Sequence, residues 1–107
     1  MSDLFEILKE LPPYIDARGV QRWYNNANEL HRLYDRPAVI SSTDQHWFLY
    51  GKRHRDNDQP AIIWKDGTSF WYKDGIQHRE NDMPAVEFAD GRKEWYLKGE
   101  LIRSIET

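Results

Sequence analysis

The chain has 107 residues, with 18 acidic against 15 basic side chains for a net charge of −3, no cysteine, and 14% aromatic residues. That length fits one domain or one short repeat array. The mildly acidic balance excludes a general nucleic-acid binder, which needs a basic field, and the absence of cysteine excludes a disulfide framework and suits a reducing compartment.

The N-terminal segment is acidic and its apolar residues are interrupted, unlike a signal peptide. No apolar run approaches the length needed to cross a bilayer, so a cytoplasmic protein without a membrane span is expected. Residues 3–11 carry Leu4, Ile7, Leu8 and Leu11 on one stripe at helical spacing. Ser2 or Asp3 can cap that helix, with Asp3 and Glu6 placed as in a capping box, and Pro12-Pro13 ends it. A repeat array exposes an apolar end, so this helix is expected to act as a lid on it.

Four hairpin repeats are then expected, over residues 12–36, 37–59, 60–83 and 84–107. Each opens on a proline (Pro12, Pro37, Pro60 and Pro84) and reaches a tryptophan (Trp23, Trp47, Trp71 and Trp95) 11 residues on, or 10 in the second. The step between tryptophans is 24 residues each time. The missing residue of the second repeat falls at Ser41-Ser42-Thr43-Asp44, where a loop can absorb it. Asp66-Gly67 and Asp90-Gly91 are pairs favoured where both central turn positions need positive φ. Gly51, Gly75 and Gly99 mark a second turn joining one hairpin to the next, with Asn28 or Ala27 in the first repeat. The fold class expected is mainly β: an antiparallel β-meander of about eight strands, one hairpin per repeat.

Alternation along the second strand of each hairpin puts the four tryptophans on one face and Tyr24, Phe48, Tyr72 and Tyr96 on the other. Few other large apolar groups are available, so the tryptophan row is expected to be core. The second row is the candidate contact face for a partner, with Arg53, Arg55 and Arg79 beside it, since tyrosine combines rigid area with a polar tip. The tail Leu101-Ile102-Arg103 stands where His-Arg stands earlier, with Ile102 in place of histidine, as suits a terminal cap.

The motif H-R-x-x-D occurs as His31-Arg32-Asp35, His54-Arg55-Asp58 and His78-Arg79-Asp82. Such a set could carry out acid–base chemistry or grip an anion. Equivalent residues two strands apart lie about 9.5 Å from each other, too far to share a zinc ion with ligand bonds of about 2.0–2.3 Å. The expected role is therefore turn-building, with no catalytic, cofactor or metal residues and no enzyme activity. An edge strand would allow a homodimer by sheet extension.

The period, the Asp-Gly turns and the W-Y-x-x-G endings resemble the MORN family of repeats. The string W-Y-x-x-G-x-x-H-R-x-x-x-x-P-A is similar to a MORN-variant repeat of small phage, bacterial and large-virus proteins. Trp71-Tyr72, Gly75, His78-Arg79 and Pro84-Ala85 match it fully, and Trp47, Gly51, His54-Arg55 and Pro60-Ala61 match it with Phe48 for the tyrosine. The resemblance covers residues 12–103. It implies a non-catalytic module that binds a partner protein or, less readily, a membrane-docking scaffold. It also implies, as an alternative, a phage-encoded inhibitor of a host enzyme or bacterial defence complex, acting in the host cytosol.

Overall fold

The computed structural model describes residues 10–106. The helix expected over residues 3–11 lies outside the described residues except at Glu10 and Leu11, which belong to no regular element. Among the described residues the chain is all β, with antiparallel pairing throughout and no helix.

Strands β1 (Tyr14–Ile15) and β2 (Gln21–Arg22) form the first hairpin, and β3 (Val39–Ile40) and β4 (Asp44–His46) the next. The chain then leaves that sheet for a small separate hairpin of β5 (Phe48–Leu49) and β6 (Lys52–Arg53). The pattern recurs in β7 (Ile62–Trp64) and β8 (Ser69–Phe70), followed by a small hairpin of β9 (Tyr72–Lys73) and β10 (Ile76–Gln77). It closes with β11 (Val86–Glu87), β12 (Lys93–Leu97) and β13 (Glu100–Ile105).

Nine of these strands make one open sheet in the order β1-β2-β3-β4-β7-β8-β11-β12-β13. This corrects the expectation of about eight strands with one hairpin per repeat: thirteen short strands are described, and each small hairpin forms its own two-stranded sheet. The cause lies at the tryptophans. Trp47 and Trp71 each stand between two strands, where the chain passes from the main sheet to a small hairpin. Their backbone N–H groups donate to Ala61 and Ala85 at 2.8 Å, while their carbonyls accept from His54 and His78 at 3.1 and 3.2 Å.

The turn chemistry is inverted relative to expectation. At Asp66-Gly67 and Asp90-Gly91 only the glycines have positive φ, 97° and 98°. The hydrogen bonds from Gly67 to Trp64 and from Gly91 to Phe88 close three-residue loops, with glycine at the left-handed position. The hairpin turns with positive φ at both central positions are instead Tyr50-Gly51, Asp74-Gly75 and Lys98-Gly99, at the tips of the second turns. Asn28 has φ of 63° in the corresponding first loop. The Ser41–Asp44 loop is closed by Ser41 N–H to Asp44 at 2.9 Å, which absorbs the missing residue as expected.

The core lies where the tryptophans, the alanines after proline and one face of the main sheet meet. Trp23, Trp47, Trp71 and Trp95 are all buried, as are Ala38, Ala61 and Ala85, with Ile62 and Val86 beside them. Burying a row of rings compensates for the shortage of aliphatic residues. At the far end β13 pairs along β12 with Arg103 opposite Trp95, the place at which Ala85 serves Trp71. The tail thus covers the last tryptophan, and the outer edges of β1 and β13 are the two ends of the sheet.

Candidate functional site

The H-R-x-x-D segments form the turns between successive units. Their central residues, Tyr34-Asp35, Asn57-Asp58 and Asn81-Asp82, all have positive φ, between 55° and 64°. Asparagine and aspartate tolerate that region well. Each aspartate carbonyl accepts the indole N–H of the following tryptophan: Trp47 to Asp35 at 3.1 Å, Trp71 to Asp58 and Trp95 to Asp82 at 3.0 Å.

Arginine completes the lock. The guanidinium groups of Arg32, Arg55, Arg79 and Arg103 lie 3.7–3.9 Å over Trp23, Trp47, Trp71 and Trp95. Arg55 donates through Nε and Nη2 to Asp35 at 2.7 and 3.2 Å, and Arg79 likewise to Asp58 at 2.9 and 3.2 Å. Both also reach the carbonyl of a proline, Pro60 or Pro84. The fork on Arg79 holds the Asp58 carboxyl below its usual range. Glu10 takes the aspartate's part for Arg32 and also binds Arg36.

The histidines tie neighbouring turns together. Nδ1 of His31, His54 and His78 accepts the backbone N–H of Tyr50, Asp74 and Lys98 at 2.9–3.0 Å. The opposite nitrogen of His54 faces Asp56 at 2.8 Å and that of His78 faces Glu80 at 3.0 Å. The His78 contact lowers the pKa of Glu80. Leu33 stands in the corresponding place after His31, whose pKa is lowered by burial. Among the described residues no group of three or more His, Asp or Glu side chains could hold a metal ion.

These turns border a row of four grooves with volumes of about 190, 280, 220 and 180 Å³. Tyr24, Phe48, Tyr72 and Tyr96 line one groove each, in that order. The candidate aromatic row is therefore brought together along one line, but it is not the open face expected. Phe48 is buried and the three tyrosines are half-buried. Two of them contact main-sheet residues: the Tyr96 hydroxyl donates to Glu94 at 3.2 Å and Phe48 stacks near His46.

The candidate cations separate. Arg55 and Arg79 line the second and third grooves, yet their guanidinium groups are bound to tryptophan, proline and aspartate instead of standing free. Arg53 lies elsewhere, between Phe48 and Tyr72, with Nη2 3.5 Å from His46 Nδ1 and a buried Nε that has no hydrogen-bond partner among the described residues. His46 in turn faces Asp44 at 3.3 Å, and the hydroxyl of Ser41 bonds the Asp44 carboxylate, depressing its pKa. The serine meets the carboxylate and not the imidazole, so Ser41, Asp44 and His46 do not stand in the order in which a histidine activates a serine. Sequence spacing did not single out Asp56 and Glu80, two residues after His54 and His78, which stand exposed at the groove rims.

Among the described residues no helix is long and apolar enough to cross a membrane. No family model matches the chain, and neither does any curated protein or solved structure.

Proposed function

We propose that the chain is a non-catalytic protein-binding module, a four-repeat MORN-like array that holds an extended segment of a partner along its grooves. One observation carries this reading: Tyr24, Phe48, Tyr72 and Tyr96 line four successive grooves, one ring to each. Each groove is smaller than the roughly 300–1,000 Å³ pockets that enclose drug-sized ligands. Single side chains of a bound polypeptide match that scale, and rings at regular spacing supply rigid contact area for them. The His-Arg-Asp sets support the same reading, because their bonds run between units and shape the groove walls.

The test is capture of a partner by wild-type protein, Tyr72→Ala and Tyr96→Ala, with melting temperatures measured alongside. Both variants should stay folded and lose at least tenfold in capture. Full capture by both variants would remove the grooves from the binding surface.

A further inference from the structure

We propose that the grooves from Phe48 to Tyr96 accept a basic, polyproline-II-like segment of a partner protein with lysine or arginine at every third position. The proposal rests on the groove-binding reading and specifies its ligand.

Charge is the first ground. The ion pairs along the grooves are buried unequally: the Arg55 side chain is 13% exposed against 57% for Asp35, and Arg79 is 9% against 53% for Asp58. Each guanidinium lies inward on its tryptophan and each carboxylate faces water. Asp56 and Glu80, bound to histidines, are 70% and 64% exposed. Asp82 lies at the last groove, exposed. Lys73 opposes these carboxylates at the third groove and Lys98 also acts on Glu80, so the five exposed carboxylates of Asp35, Asp56, Asp58, Glu80 and Asp82 face two exposed lysines, with Arg55 and Arg79 turned inward beneath them.

The floors are the second ground. Trp47, Phe48 and Leu49 line the second groove, Trp71 and Tyr72 the third, and Trp95 and Tyr96 the last. Lysine and arginine lay methylene stems on apolar surface while their heads stay hydrated. An apolar floor under an acidic rim suits both parts of such a side chain. At the first groove Glu10 is held by Arg32 and Arg36, so that groove lacks the acidic rim and falls outside the proposed footprint.

Spacing is the third. Successive units are two strands apart in the main sheet, which sets the groove pitch near 9.5 Å. A polyproline II helix returns a side chain to the same face every third residue, about 9.3 Å along its axis. A β-strand does so about every 6.6 Å. An α-helix does so after seven residues, about 10.5 Å, and slips by roughly 1 Å per groove.

Titration of the full chain with (Lys-Pro-Pro)5, read by tryptophan emission at low salt, tests this directly. Binding should be at least tenfold tighter than for (Lys-Pro-Pro-Pro)5, which has the same charge at a different pitch, and (Glu-Pro-Pro)5 should not bind. The double variant Asp56→Asn/Glu80→Gln keeps an acceptor for each histidine and removes two rim charges. It should keep its melting temperature and lose tenfold in affinity for (Lys-Pro-Pro)5. Equal affinity for the two lysine peptides, no binding of (Lys-Pro-Pro)5, or an unaffected double variant would each overturn the proposal. If the lysine peptide fails while Tyr72→Ala still loses capture of a partner protein, groove binding stands and the basic ligand does not.

Discussion

The indole N–H of Trp71 donates to the carbonyl of Asp58 at 3.0 Å, while the carboxylate of the same aspartate grips Arg79, which lies 3.8 Å over the Trp71 ring. One turn residue thus joins two units through both its backbone and its side chain. Asp82 offers an internal comparison: its carbonyl accepts from Trp95 at 3.0 Å, but among the described residues no bond to its carboxylate is made.

Asp58→Asn should therefore lower stability while Asp82→Asn should not. Asparagine keeps the left-handed turn and removes the charge. Because Asp58 is half exposed, the loss is set near the solvent-screened end, about 1 kcal/mol. That corresponds to roughly 4–8 °C in melting temperature for a domain of this size. Equal shifts for the two variants would show that the Arg79 fork contributes nothing.

Trp71→Ala should be far more damaging. The ring is buried, stacked by Arg79 and hydrogen-bonded to Asp58. Truncating a buried ring costs roughly 3–5 kcal/mol, a large share of the 5–15 kcal/mol typical of a domain. A denaturant midpoint unchanged from wild type would contradict the placement of the core.

Lys98→Asn should be stabilising. Lys98 has φ of 51° at the first position of a two-residue turn and uses its backbone N–H, not its side chain, to meet His78. An ordinary L-residue in that region costs about 1–2 kcal/mol, and asparagine relieves part of this. A gain of about 0.5 kcal/mol is expected in urea unfolding, and a loss would mean the lysine side chain has a contact of its own.

His31 should impose a pH dependence on folding. Its Nδ1 accepts the Tyr50 N–H at 2.9 Å, which requires a ring nitrogen without a proton, and burial lowers its pKa. The folded value lies below the unfolded value near 6.5, so the unfolded chain binds more protons between the two. This contribution is complete above about pH 6.5 and is lost as pH falls from there toward the lower folded value. His31→Gln should flatten that part of the urea-midpoint profile between pH 7.5 and 5.5. An identical slope in the variant would assign the dependence to other groups.

The tryptophan period and the proline openings made the antiparallel sheet legible, since a step repeated three times leaves little freedom in the order of elements. The place of Arg103 in the period was legible too, but its stacking over Trp95 was not. The small hairpins were hidden because Trp47-Phe48 reads as one continuous strand; only the bonds from Trp47 N–H to Ala61 and from His54 N–H to the Trp47 carbonyl reveal the departure. Turn type was misread at Asp66-Gly67 because dipeptide preference does not report loop length, and length decides which residues need positive φ. Tyr50 and Lys98 take up left-handed positions because Gly51 and Gly99 donate to Leu30 and Gln77 of the preceding unit, a tertiary demand that overrides local preference. The aromatic row was visible in the alternation. Which member of each ion pair faces water was not, since that depends on the guanidinium lying flat on a ring.

Strand β13 borders the described sheet by occupying the place of a further Pro-Ala strand, so the number of units in that sheet is set by where the chain turns back. Nothing in the bonds between units limits their number: Asp35, Asp58 and Asp82 meet Trp47, Trp71 and Trp95 in the same way. A second copy of residues 60–83 spliced in after position 83 would add two strands to the main sheet, one small hairpin and one groove, at about 9.5 Å per insertion. The protein is in that sense a ruler with countable divisions, and gain or loss of a 24-residue segment is a route by which its reach could change in whole steps without redesign of any interface.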